Sequence, residues 1–266
     1  MPLPKTPSFR LDGRRALVTG GSKGIGLAAA AALVHAGAGV TLLARDATEL
    51  IAACALLKDA GGESDAEIRY ISLDVTDSRG LADWIYDDIA ARGEFDVLVN
   101  NAGTNRPGAL IDMQDADLDA VVDLNIKAAF YVAREVARGL LAADGGRGKP
   151  GSIINVSSQM GHVGGPSRSV YCATKHAIEG MTKALAWELG RQQIRVNTIC
   201  PTYIETAMTA PMLADNAFRS FAENGTALGR VGRLDEIMGA VVFLASDASS
   251  LVTGSALMLD GGWTAR

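Results

Sequence analysis

The stretch RALVTGGSKGIG, residues 15–26, decides the fold. Its first part, Arg15–Thr19, is a short apolar run that reads as a buried strand. It passes directly into glycines spaced GxxxGxG (Gly20, Gly24, Gly26) and then into an Ala/Leu-rich helical pattern over Ile25–Ala36. Gly20 lets the strand turn sharply, Gly24 lets the backbone approach a pyrophosphate, and Gly26 lets the helix pack on the strand. The helix N-terminus offers N–H groups and a positive dipole end to a phosphate. Glycine triplets also serve plain turns, but the strand–turn–helix setting favours a dinucleotide cradle made of Gly20, Ser22, Lys23, Gly24, Ile25 and Gly26.

Working outward, the same alternation continues. Further strands are expected at Val40–Ala44, Ile68–Leu73, Val97–Asn100, Ser152–Ser157, Arg195–Ile199 and Ala256–Leu259. Helical patterns fall at Ala47–Asp59, Leu81–Arg92, Asp117–Ala142, Ser169–Arg191 and Asp235–Ala245. Near-continuous apolar strands suit a parallel sheet covered on both faces, and strict β–α alternation implies right-handed crossovers. The expected class is α/β, a single doubly wound Rossmann-type domain with a seven-stranded parallel sheet. The whole of residues 1–266 forms one domain in this reading, with residues 1–12 as a tail. The tract DGGRGKPG, residues 144–151, reads as a surface loop before the fifth strand.

Composition narrows the class. The chain has 266 residues, 25 Lys+Arg against 30 Asp+Glu, and 48% hydrophobic residues. That length can bury a substantial core without disulfides or metals. The longest unbroken apolar stretch, near Leu27–Val34, is too short for a membrane span, and the N-terminus lacks a signal-peptide apolar region. Three scattered cysteines suggest neither a disulfide frame nor a zinc site, so no metal is expected. An acidic pI near 5.3 argues against nucleic-acid binding. A cytoplasmic protein is expected.

The end of the second strand distinguishes the two nicotinamide dinucleotides. An acidic residue there binds a ribose 2′-hydroxyl, whereas an arginine accommodates a 2′-phosphate. Here Ala44 is followed by Arg45, and Lys23 adds a second cation. Two cations without a carboxylate at the acidic position favour NADP(H) over NAD(H), although Asp46 is placed to neutralise Arg45.

The segment YCATK sets Tyr171 and Lys175 one helical turn apart, on one face. An ammonium near a phenol favours the phenolate and makes tyrosine a usable acid–base group. Ser158 lies thirteen residues earlier, at the carboxyl end of the fifth strand, where such sheets bind ligands. A serine-hydrolase reading fails because no GxSxG elbow surrounds Ser158.

With these residues in view, the chain resembles the short-chain dehydrogenase/reductase family over its whole length. Its TGGSKGIG, LDVTD, NNAG, LNIKAAF, NVSS, YCATK, RVNTICP and DGGW segments stand in the family's order. The resemblance implies a catalytic tetrad of Asn125, Ser158, Tyr171 and Lys175. Tyr171 would be the general acid/base, Ser158 would orient the substrate oxygen, Lys175 would lower the tyrosine pKa and hold the nicotinamide ribose, and Asn125 would anchor a relay water. It also implies Asp74 and Val75 at the adenine, Asn101, Ala102 and Gly103 at the adenosine ribose, and Pro201, Ile204 and Thr206 at the nicotinamide. Thr202 departs from the glycine that relatives often carry after the proline, which bears on the local turn and pocket shape. A homo-oligomer, commonly a tetramer or else a dimer, is also implied.

Among other candidates, His35, His162 and His176 show no carboxylate or thiol partner at metal-ligand spacing. Cys172 and Trp263 read as packing residues. Polar residues near the presumed pocket (Asn105, Arg106, Gln159, His162, Arg168, Tyr203) suggest a small-molecule substrate of sugar or polyol type, under a lid at about residues 206–228. The alternatives are a 3-oxoacyl thioester reductase, a non-catalytic NADP-binding regulator, and a sugar epimerase or dehydratase, whose different glycine loop and longer C-terminal domain are not seen here.

Overall fold

Alternation along each strand places the core. In the computed structural model, which describes residues 3–61 and 66–265, Val18 of β1 (Arg15–Thr19) faces one apolar layer and its neighbour Leu17 the other. The same holds for Val99 and Leu98 of β4 (Val97–Asn100), and for Ile154 and Ile153 of β5 (Gly151–Val156). Successive strand side chains point to opposite faces, so a sheet buried on both sides needs apolar residues throughout.

The remaining strands are β2 (Gly39–Ala44), β3 (Ile68–Ser72), β6 (Ile194–Pro201) and β7 (Ala256–Leu259). The seven strands pair in the order β3-β2-β1-β4-β5-β6-β7, all parallel. The single Rossmann-type domain expected from the sequence is therefore observed. The order reverses between β1 and β4, which opens a crevice at the strands' carboxyl ends.

One face is covered by α1 (Gly24–His35) and α9 (Asp235–Ala245), through Ala29, Leu33, Ile237 and Val241. The other is covered by α3 (Ser78–Arg92) and α5 (Ala128–Gly146), through Leu81, Ile85, Val132 and Leu140. The Asp88 carboxylate of α3, almost fully buried, takes Arg15 at 2.5 Å and Arg69 at 2.7 Å, and so pins the helix to β1 and β3. Burial pushes that carboxyl up, but the two arginines outweigh it and hold it below the usual range. Helices α2 (Ala47–Gly61) and α6 (Ser169–Leu189) complete the layers.

Four expectations change in detail. The long helix expected over Asp117–Ala142 is broken into α4 (Asp115–Val122), a π-helical turn at Asp123–Lys127, and α5. Such π turns insert a residue and concentrate at functional sites; this one contains Asn125. The expected tail is not wholly peripheral, because Leu11 is completely buried and its N–H donates to the Ala36 carbonyl at 2.8 Å. Within residues 206–228 two helices form, α7 (Ala210–Leu213) and α8 (Asn216–Asn224), the latter capped by the Asp215 carboxylate. The loop read at residues 144–151 is shorter at its ends, since α5 runs to Gly146 and β5 begins at Gly151. Helical backbone nevertheless ends already at Ala143, and the chain is left-handed at Asp144, Gly145, Gly146 and Gly148. Met1, Pro2 and Arg266, parts of the tail and C-terminus named above, lie outside the described residues.

Candidate active site

Along the carboxyl ends of the central strands runs a cavity of about 990 Å³. From the residues singled out in the sequence, its wall carries Gly20, Ser22, Lys23, Gly24, Ile25, Arg45, Asp74, Val75, Asn101, Ala102, Gly103, Ser158, Tyr171, Lys175, Pro201, Ile204 and Thr206. Gly26 and Asn125 stand behind the wall.

The glycine loop fits a pyrophosphate. Gly24 has φ +57°, and a Cβ there would meet nothing closer than Thr206 at 3.8 Å, so the backbone is open to the cavity. At Gly26 a Cβ would overlap the Gly20 carbonyl oxygen and fall 2.6 Å from Asn101 Nδ2. That glycine is required by packing of helix on turn. The α1 N-cap, Lys23, makes no side-chain capping bond, which leaves the first-turn N–H groups for an anion. Asn101 is committed to this loop: its Nδ2 donates to the carbonyls of Thr19 at 3.0 Å and Gly20 at 3.1 Å. The amide braces the turn, a role the sequence did not suggest.

The two cations assigned to a 2′-phosphate are both near carboxylates. Lys23 Nζ lies 2.6 Å from Glu49 Oε1, and the Ser22 hydroxyl donates to Glu49 Oε2 at 2.9 Å. These two bonds hold the Glu49 carboxyl below its ordinary range. Glu49 comes from α2 and was missed because only its position in space, not in the chain, places it beside Lys23. Arg45 lies 4.0 Å from Asp74. Asp46 instead accepts from the Glu49 N–H at 3.0 Å as a helix cap.

At the other end of the cavity stand the hydroxyl residues. Ser158 Oγ accepts from the Met160 N–H at 3.1 Å, and its hydroxyl acts to lower the Tyr171 phenol. Lys175 Nζ lies 5.6 Å from the Tyr171 ring centroid and donates to the Val156 carbonyl at 2.8 Å. Burial pushes Tyr171 up to about 12, against the lowering effect of the Ser158 hydroxyl. Burial lowers Lys175 to about 8, against the supporting charge of the nearby Glu179 carboxylate. For Tyr171, desolvation of the phenol outweighs the lowering effects of Ser158 and Arg168.

Asn125 is buried and fully engaged. Its Oδ1 accepts from the Thr104 N–H at 2.8 Å, and its Nδ2 donates to the Thr104 carbonyl at 2.9 Å and Thr174 Oγ1 at 3.1 Å. It ties the π turn to the loop after β4 and to α6. Thr202 takes the place of the familiar glycine without left-handed backbone, and its N–H donates to the Leu259 carbonyl at 3.2 Å.

One histidine expectation is overturned. His162 Nε2 lies 3.4 Å from Glu179 Oε1 and 3.5 Å from Cys200 Sγ, with all three ligand atoms within 4.8 Å of one another. Sequence spacing hid this, since the three residues come from a loop, α6 and β6. Burial pushes the Cys200 thiol up to about 12, so it stays protonated and donates to Glu179 Oε1 at 3.3 Å. Thr198 donates to the other carboxylate oxygen at 3.1 Å. The arrangement is a satisfied hydrogen-bond network behind Lys175. His35 meets the Ala60 carbonyl and His176 the Cys172 carbonyl, both outside the cavity.

Comparisons place this geometry among known proteins. A family model described as enoyl-(acyl carrier protein) reductase matches residues 20–264. Gluconate 5-dehydrogenase of Gluconobacter oxydans is 38% identical over 256 residues, covering 96% of each chain. A 3-oxoacyl-acyl-carrier-protein reductase of Thermotoga maritima is 39% identical over 254 residues, covering 96% of this chain and 99% of its own. The crystal structure of a gluconate 5-dehydrogenase from Burkholderia cenocepacia in complex with NADP and tartrate superposes with a TM-score of 0.90 at 35% identity, covering 97% of this chain and 98% of that one.

Proposed function

The chain belongs to the short-chain dehydrogenase/reductase family of NAD(P)-dependent oxidoreductases, and we propose that it interconverts a secondary alcohol and a ketone on a small polyhydroxylated substrate with NADP(H). One observation carries this reading. A single cavity has the glycine loop at one end and Ser158, Tyr171 and Lys175 at the other. Support for NADP(H) comes from Lys23 and Arg45 on the wall and from the NADP-bound relative.

In the reduction direction Tyr171 is the proton donor. Burial keeps its phenol protonated until a developing alkoxide draws the proton. Ser158 orients the same oxygen through its hydroxyl. The Lys175 ammonium, on the tyrosine's own helix face, then steadies the tyrosinate that remains. Oxidation runs these proton movements backwards. The nicotinamide, when bound, supplies or takes up the hydride. Gly24 and the α1 N-terminus would hold its pyrophosphate; Asp74 and Val75 would meet the adenine, Asn101, Ala102 and Gly103 the adenosine ribose, and Pro201, Ile204 and Thr206 the nicotinamide end. Asn125 acts indirectly, by fixing the π turn and the loop at Thr104.

The substrate end of the wall supports a polar ligand. Buried oxygens of Asn105, Ser157, Gln159 and Thr202 have no hydrogen-bond partner among the described residues, and all four residues line the cavity. Unpaired buried polar groups are costly, so a site carrying four of them suits hydroxyl groups. The segment of α7 and α8 forms the lid over this end. A second reading, reduction of a 3-oxoacyl thioester, is favoured by the apolar Met160, Met208 and Met212 on the same wall and by the acyl-carrier-protein reductase relative. Nicotinamide absorbance separates them: sugars, polyols and their acids with NADP⁺ or NAD⁺, against a 3-oxoacyl thioester with NADPH. Turnover of the thioester alone overturns the first reading.

No helix among the described residues is long and apolar enough to cross a membrane. Three buried free cysteines fit a reducing, cytoplasmic setting. Trp187 and Ile111, 89% and 92% exposed, support a homo-oligomer in which such apolar surface is covered.

A further inference from the structure

The alcohol–ketone reading leaves one charge on the wall without a use. Arg168 stands at the N-cap of α6, three residues before Tyr171. It lines both the main cavity and a smaller one of about 270 Å³ beside it. Its guanidinium makes no ion pair with any described residue. Nη1 donates to the Ser167 carbonyl at 3.0 Å, and Nη2 reaches the Met212 sulfur of α7 at 3.7 Å. The other cations of the wall are engaged: Lys23 with Glu49, Arg45 with Asp74, and Lys175 with the Val156 carbonyl.

This arginine is positioned by its surroundings. Ser167 holds left-handed backbone at φ 58°, a cost for a residue with a side chain. The Ser167 carbonyl also accepts from the Gly108 N–H at 3.1 Å, so the strained turn is tied to the loop after β4. A guanidinium has five N–H donors in a planar fork; here two neutral acceptors meet it and the rest of the fork is unused. The positive end of the α6 dipole lies at the same place. The Arg168 charge is also felt at the Tyr171 and Tyr203 phenols, where it opposes the upward push of burial.

We propose that Arg168 is the carboxylate anchor of the substrate site, so that the substrate is a hydroxy or oxo acid and not a neutral polyol. The inference rests on the oxidoreductase reading of the cavity and names its substrate class. A carboxylate matches the guanidinium fork with two parallel hydrogen bonds. A phosphate dianion would call for a second cation beside Arg168, whereas Lys23 and Arg45 are taken up by the cofactor reading and Lys175 donates to the Val156 carbonyl. Arg168 and Tyr171 stand on the wall as separate groups, so the carboxylate is held at a different end of the substrate from the reacting carbon, as in a sugar acid.

The test pairs each acid with its neutral counterpart: four- to six-carbon aldonates against the matching alditols, each with NADP⁺, in the parent and in Arg168→Met and Arg168→Lys. The parent is expected to favour the aldonate by at least tenfold in kcat/KM, mainly through KM. Arg168→Met is expected to bring that ratio close to one, and Arg168→Lys to restore part of it. Calorimetry of the preferred acid on the NADP⁺-loaded protein gives the same ordering without turnover, and an unchanged unfolding midpoint excludes a folding defect. A parent that favours alditols, or a ratio unmoved by Arg168→Met, overturns the anchor and leaves the oxidoreductase reading intact. Failure of every acid and alditol both to turn over and to bind, with the thioester reduced instead, overturns the underlying reading and the anchor with it.

Discussion

Glu49 reaches from α2 across the glycine loop to Lys23, carboxylate oxygen to ammonium at 2.6 Å. The cation expected to greet a 2′-phosphate is thereby matched with a carboxylate that such a phosphate would repel. Glu49→Gln is expected to tighten NADPH binding about two- to five-fold, the size of an exposed ion pair, and to leave NADH binding nearly constant. Titration of nicotinamide fluorescence at two ionic strengths measures it. Equal changes for both cofactors would remove Glu49 from the selectivity of the site.

Tyr171→Phe keeps the ring and deletes the proton. Turnover should fall by about 10²–10⁴-fold, the range for losing a general acid–base group, while NADPH affinity stays within a few-fold. Ser158→Ala, which loses only the orienting hydroxyl, should fall less. Steady-state rates beside cofactor titration separate the two effects, and a Tyr171→Phe protein with near-parental rates would show that another group moves the proton.

Lys175 titrates near 8 in the fold, below the ordinary lysine value of 10.5. Between those values the unfolded chain holds the extra proton, so stability should rise with pH across that window. Below pH 8 both states are charged and the burial penalty is complete. Lys175→Met is therefore expected to unfold later than the parent at pH 7, by about 2 kcal/mol, with the gap narrowing by pH 9.5, although it should be inactive. Denaturant unfolding at both pH values checks the sign; a parent as stable as the variant at pH 7 would contradict it.

Two glycines of one loop should fail differently. Gly26→Ala drives a Cβ against the Gly20 carbonyl and Asn101 Nδ2, and overpacking of that kind costs about 1–3 kcal/mol. Gly24→Ala meets open space but must hold φ +57°, so its main effect should be on cofactor binding, where the backbone faces the cavity. Urea unfolding and NADPH titration of both variants distinguish the roles.

Much of this molecule was legible along the chain. The strands at Arg15–Thr19, Val97–Asn100 and Ala256–Leu259 have the bounds read from the sequence, because short apolar runs between turn signals leave little choice of register. Among the wall residues, the glycine loop, Arg45 and Ser158 were read from the carboxyl ends of strands, Tyr171 and Lys175 from their spacing on one helix face, and the others from the family resemblance. The π turn at Asn125 was not readable: an asparagine inside a long helix is only mildly unfavourable, and the turn is held by bonds from Asn125 to Thr104 and Thr174 elsewhere in the fold. The bracing role of Asn101 escaped for the same reason.

The sequence alone determined the parallel sheet, its crossovers and the sites where glycine must stand, because these follow from hydrophobic period and backbone sterics, which act over a few residues. Tertiary structure alone decided the pairing of charges at the site. Glu49 on Lys23, Glu179 on His162 and Cys200, and the absence of any described carboxylate at Arg168 depend on which loops and helices converge at the strand ends. These partners at the site are chosen by distance in space, and no spacing along the chain encodes them, unlike the pairs one helical turn apart such as Lys127 and Asp123.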